Sequence, residues 1–171
     1  VTAAAAPFPP RTLVAGVGNV FLGDDGFGVE AARILAGQDL PEGVEVTDIG
    51  IRGVHLAYQL LDGYDTLILL DATARGGPPG TLYLIEAPRP GTGPGPADAA
   101  LDGHRMSPDA VLALLGTLCA GTGARPPRRI LVVGCEPGTV EECIGLSPPV
   151  AAAVPDAVRM VGELVRDAAV V

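Results

Sequence analysis

The sequence predicts an α/β fold, a three-layer helix-sheet-helix sandwich around a mainly parallel, twisted five-stranded sheet. Three observations carry this. Thr12 to Val17, Thr66 to Leu70 and Arg129 to Gly134 read as strands, and the nearly continuous apolar run Thr66 to Leu70 has the character of a central strand covered on both faces. Segments with apolar residues at helical spacing lie between the strands, so the two element types mostly alternate. The chain of 171 residues is 48% hydrophobic, enough for one domain with a proper core. Residues 1–11 are assigned to a disordered tail and 12–171 to that single domain.

After the first strand, Val29, Ala32, Ile34 and Leu35 form an apolar stripe that Gly37 is placed to end. A turn at Pro41-Glu42-Gly43 leads to a short strand from Val44 to Thr47, which delivers Asp48-Ile49-Gly50. Val54, Ala57, Leu60 and Leu61 then repeat with helical period, with His55 inside the helix. The strand Thr66 to Leu70 stops on Asp71. The turn Gly76-Gly77-Pro78-Pro79-Gly80 leads into Thr81 to Glu86, too close to the previous strand for a helical crossover, so an antiparallel pair is expected. Proline, glycine and alanine dominate Pro88 to Gly103, which reads as a mobile loop. His104 follows on the connection. Ser107 is then a natural N-cap and Pro108 a natural first residue for a helix carrying Val111, Leu112, Leu114, Leu115 and Leu118. A turn from Gly121 to Pro127 precedes the fifth strand, which Cys135-Glu136-Pro137-Gly138 leaves. Ser147-Pro148 repeats the cap-then-proline device before a last helix, in which Pro155 is expected to introduce a kink.

Charge narrows the function classes. Twenty acidic against 11 basic side chains give a formal net charge of -9, which argues against nucleic acid or an anionic membrane as partner and suits a basic protein. Three cysteines without Cys-x-x-Cys spacing fit a reducing compartment and read as small buried hydrophobes. No apolar run approaches a membrane span, and the first residues lack the pattern of a signal peptide, so a cytoplasmic, acidic monomer is expected.

The chain is organised around the loop between the first strand and first helix, with glycines at 16, 18, 23, 26 and 28 and two adjacent acids, Asp24 and Asp25. A dinucleotide fingerprint needs Gly-x-Gly-x-x-Gly, but here the third glycine falls too late, at Gly23, and two carboxylates would repel a pyrophosphate. Either acid could instead cap the following helix. Ligands gather at the carboxyl ends of strands in open α/β sheets, and Asp25, Asp48, Asp71 and His104 are all expected on that rim. Carboxylates and one imidazole from separate connections suit a divalent transition metal, although loose acids at strand ends are also common. No nucleophile elbow, His-Glu-x-x-His or phosphate loop competes with that reading.

The segment Gly16-Val17-Gly18-Asn19 through Gly23-Asp24-Asp25-Gly26-Phe27-Gly28 closely resembles the opening motif of the nickel-iron hydrogenase maturation endopeptidases. Leu69-Leu70-Asp71-Ala72, Gly103-His104-Arg105-Met106-Ser107-Pro108 and Gly145-Leu146-Ser147-Pro148 resemble that family's later motifs, in the same order. The resemblance implies an endopeptidase that removes the C-terminal extension of a hydrogenase large-subunit precursor after nickel insertion. It implies nickel contacts at Asp25, Asp71 and His104, with the nickel supplied by the substrate and no tightly bound metal in the free enzyme. Asp25 stands where some members have Glu. Asp48-Ile49-Gly50-Ile51 resembles the family's Asp-x-Gly-Thr segment with Thr replaced by Ile, which leaves Asp48 as a possible catalytic helper. The metal would polarise the scissile carbonyl or activate a bound water, with a nearby carboxylate as base. The alternative is a maturation chaperone or nickel-binding adaptor that docks the large subunit without cutting it. A general metallo-aminopeptidase is the weakest reading, because no second ligand cluster is present.

Overall fold

The computed structural model describes residues 9–90 and 107–169. The described residues form ten elements in the order β1 (Thr12–Val17), a 3-10 turn (Gly23–Gly26), α1 (Phe27–Ala36), β2 (Val44–Gly50), α2 (Gly53–Leu60), β3 (Thr66–Ala72), β4 (Leu82–Glu86), α3 (Pro108–Thr122), β5 (Arg129–Cys135) and α4 (Pro148–Ala169). The sheet order is β2-β1-β3-β5-β4. Every pairing is parallel except β4 with β5. Arg11, assigned to the tail, is anchored: its amide donates to Asp65 Oδ2 at 3.0 Å and its guanidinium to the carbonyls of Asp62 and Gly63.

Strand alternation builds two cores from one sheet. Leu13, Ala15 and Val17 of β1, Leu67 and Leu69 of β3, and Ile130 and Val132 of β5 face α2 and α3. Val14, Ile68, Leu70, Leu131, Val133 and Cys135 face α1 and α4. With both faces covered, the central strands have no polar side to present, which is why they read as unbroken apolar runs.

The antiparallel strand is where sequence and structure differ most. β4 was expected beside β3; it pairs with β5, which inserts between them. Both edges of β3 are taken, by β1 and β5, so β4 fits only outside β5. The connection after β3 passes over the end of β5, where Thr73 N–H donates to the Cys135 carbonyl, and Gly80 and Thr81 exchange bonds with Glu136.

The helical stripes also shift. Ile34 is 48% exposed and Val54 43% exposed, whereas Ala31 and Leu56 are fully buried. Ser107 caps α3 as expected, its hydroxyl accepting from Ala110 N–H, and α3 runs through Gly121 to Thr122, ending at left-handed Gly123. Pro155 lies inside α4, which continues past it. Cys119 and Cys135 are buried, but Cys143 is exposed. Among the described residues, no helix is long and apolar enough to cross a membrane. His104 and most of the Pro88 to Gly103 loop lie outside the described residues.

Candidate active site

The acid-bearing turn is fixed by close backbone packing. At Gly28, a Cβ would run into the carbonyl oxygens of Leu70 and Val17, so glycine there lets the start of α1 touch the ends of β1 and β3. Gly18 has φ 131° and packs against the Asp25 carbonyl, a backbone conformation that a side chain rarely adopts. The chain therefore leaves β1, folds back on itself and enters the Gly23–Gly26 turn. Asp25 Oδ2 accepts the Asn19 N–H at 2.8 Å.

Asp71 comes from the neighbouring strand. β1 and β3 run in register with Gly16 opposite Leu70, so the two strand ends carry Asp25 and Asp71 to one place. Burial, and then the negative charge of Asp25, push the Asp71 carboxyl up to about 7, against the opposing hydrogen bond from the Ala72 amide. Both acids line a cleft of 690 Å³. Ile85 and Val132 contribute apolar wall on the α2–α3 side of the sheet, Val140 closes part of the rim, and Ser107 brings the first turn of α3 to it.

The other expected residues fall differently. Asp48 stands at the end of β2 on the same rim, but its carboxylate lies 3.5 Å from the Arg33 guanidinium and it does not line the cleft. His55 is exposed on α2. Among the described residues, no three His, Cys, Asp or Glu side chains cluster closely enough to hold a metal ion. The Asp25–Asp71 pair supplies two oxygen donors, and among the described residues no salt bridge reaches either acid. Two carboxylates with no cationic partner among the described residues offer oxygen donors of the kind a divalent cation takes.

Two further acids take parts the sequence did not reveal: Asp24, offered there as a helix cap, and Glu136, not singled out. Asp24 caps no helix; its buried carboxylate accepts N–H bonds from Gly138 at 2.7 Å, Thr139 at 3.0 Å and Ser147 at 2.7 Å, and the Ser147 hydroxyl at 2.8 Å. Burial alone would raise this carboxyl, but those bonds together, Ser147 foremost, hold it below its ordinary value. Glu136, 5% exposed, accepts the amides of Arg75 and Gly76 and the Tyr83 hydroxyl. The Arg75 amide, against the cost of burial and with Tyr83, Gly76 and Gly77 helping, keeps its carboxyl low. The available signal for Glu136 was its place: an acid directly after a buried strand, like Asp71.

A family model described as hydrogenase maturation protease matches residues 29–164. The chain is 33% identical over 167 residues to the hydrogenase 2 maturation protease of Escherichia coli K12, covering 94% of this chain and 93% of that one. It is 31% identical over 162 residues to the hydrogenase expression/formation protein HupD of Rhizobium leguminosarum, covering 94% and 76%. The solved structure of the hydrogenase maturating endopeptidase HybD from Escherichia coli superposes with a TM-score of 0.73 at 32% identity, over 92% of this chain and 93% of that one.

Proposed function

The chain belongs to the hydrogenase maturation protease family, and from that membership we propose that it removes the C-terminal extension of a nickel-iron hydrogenase large-subunit precursor after nickel insertion, recognising the nickel its substrate carries. The observation that supports this reading is the Asp25–Asp71 pair at the rim of the cleft, with the Asp71 carboxyl raised to about 7 and no ion pair to either acid among the described residues. Asp25 and Asp71 offer anionic oxygens, and His104, by its place in the family motif, the nitrogen of a shared coordination sphere. The nickel, as part of the substrate, relieves their repulsion, so affinity for the loaded precursor exceeds that for the empty one.

Catalysis then needs a proton acceptor near the scissile bond. The substrate's metal supplies Lewis acidity, and a carboxyl titrating close to neutrality can take a proton from water and return it to the leaving amine. With the nickel-bearing substrate in place Asp25 and Asp71 serve as metal ligands, so the acceptor is a further carboxylate near them; Asp25, fixed by the Asn19 amide, lines the cleft with Asp71. Asp48 contributes from the same rim as a helper through Arg33. The enzyme acts as a cytoplasmic monomer and binds no metal tightly on its own.

The test is incubation of the purified protein with a hydrogenase large-subunit precursor from the same organism, with and without nickel, followed by intact mass. Loss of a C-terminal peptide only from the nickel-loaded precursor supports the proposal. Stable binding with unchanged mass would replace it with the adaptor, and cleavage of both forms would remove the metal from recognition.

A further inference from the structure

Asp24 and Asp25 are consecutive, yet they do opposite things. Asp25 lines the cleft, whereas Asp24 points into the protein and is fully buried. All four of its hydrogen bonds come from the β5–α4 connection, more than 110 residues along the chain: Gly138, Thr139 and Ser147 give backbone N–H groups and Ser147 its hydroxyl. The backbone repeats the tie. Asp24 N–H donates to the Thr139 carbonyl, Gly23 N–H to the Cys143 carbonyl, and Cys143 N–H returns to Phe21. Pro137 and Val140, from the same connection, line the cleft with Asp25 and Asp71. One buried carboxylate thus joins the turn that carries a cleft acid to the segment that forms a cleft wall.

From this geometry we propose that Asp24 is a positioning residue for peptide cleavage: it never touches the substrate, but sets Asp25 and the 137–140 wall in register with Asp71. A buried carboxylate whose oxygens accept four bonds from one segment is directional as well as strong, and a capping acid or a surface ion pair would not be. The 3-10 turn has poor internal hydrogen bonding of its own, so its orientation depends on such outside ties. Loosening the tie leaves the sheet and both cores intact while moving Asp25 relative to the neighbouring strand.

The inference rests on the reading of Asp25 and Asp71 as the reacting end of the cleft, and its test separates the two. Asp24→Asn keeps the side chain's size but presents an amide N–H₂ to converging donors. Ser147→Ala, which removes one donor, is the milder second variant should the first fail to fold. The control is Val165→Ala, which opens a cavity in the α1–α4 core without touching the tie. Processing of nickel-loaded precursor is followed well below each protein's melting temperature. For Asp24→Asn we expect kcat to fall about 10–100-fold with KM within about threefold of wild type. Val165→Ala lowers the melting temperature and leaves kcat in place. An Asp24→Asn kcat equal to that of Val165→Ala would overturn the proposal.

Amide hydrogen exchange gives the second readout. Faster exchange confined to residues 19–25 and 138–147, with β1, β3 and β5 still protected, supports positioning; uniform acceleration overturns it. Should wild-type protein leave every precursor uncut, the functional reading fails by itself, and the exchange pattern alone then decides whether Asp24 sets the turn.

Discussion

Ser147 holds Asp24 twice, its backbone N–H on Oδ1 at 2.7 Å and its hydroxyl on Oδ2 at 2.8 Å. The sequence offered Ser147 as a helix cap, but the hydroxyl is turned to the buried acid. Ser147→Ala keeps the backbone bond and loses the other, so we expect a loss of about 1.5–3 kcal/mol, the range for a hydrogen bond to a charged group. Urea unfolding monitored by circular dichroism measures it, and an unchanged midpoint would show that the hydroxyl bond contributes nothing net.

Asp71→Asn is expected to abolish processing while stabilising the metal-free protein at alkaline pH. The Asp71 carboxyl is raised from 3.8 to about 7, chiefly by burial and then by Asp25, so the folded protein binds more protons than the unfolded chain between those values. Stability therefore falls as pH rises through that window. The asparagine variant escapes the penalty. At pH about 8 it should exceed wild type by on the order of 1–4 kcal/mol, with the gap closing near pH about 4. Thermal melts in chelator across pH test the sign.

Glu136 has the opposite sign. Its carboxyl is held low, first by the Arg75 amide, so the stability it contributes is present above the ordinary carboxylate range and is lost as pH falls through its folded value. Glu136→Gln should flatten the acid limb of the stability curve without moving the alkaline limb. Equal acid slopes in both proteins would remove Glu136 as the cause.

Two glycines in the first helical region predict contrasting outcomes. Gly28→Ala drives a methyl into the carbonyls of Leu70 and Val17, so it should cost at least about 3 kcal/mol or prevent folding. At Gly37 a Cβ meets only the Ile34 carbonyl at 3.5 Å, and φ is -87°. Gly37→Ala should change stability by less than about 1 kcal/mol, in the stabilising direction. Denaturant midpoints of the two variants side by side check the contrast.

The strands β1, β3 and β5 could be read from sequence because a strand covered on both faces writes its burial into consecutive residues. The rim position of Asp25 and Asp71 followed, since a strand's end is visible where its apolar run stops. Orientation was not legible. Asp24 and Asp25 are adjacent in a tight turn, and which one faces the cleft depends on Gly138, Thr139 and Ser147, donors that no local pattern links to it. Asp48 shows the same limit: its rim position was visible, but its turn toward Arg33 was not. The place of β4 failed similarly, because its partner β5 arrives more than 40 residues later. Ile34 was misplaced for a smaller reason, one position off the buried stripe of α1.

The span of the Asp24 tie has a consequence for synthesis. The acid turn emerges from the ribosome well before the groups that hold it, which follow 114 to 123 residues afterwards. Non-local contacts of this kind form late and slow the folding of the chain that depends on them. A nascent chain stopped before Gly138 would carry Asp25 and Asp71 without the partner segment that fixes their turn, and β4 without the strand it pairs with. The cleft is therefore incomplete until the 138–147 segment has been made and has reached the acid turn.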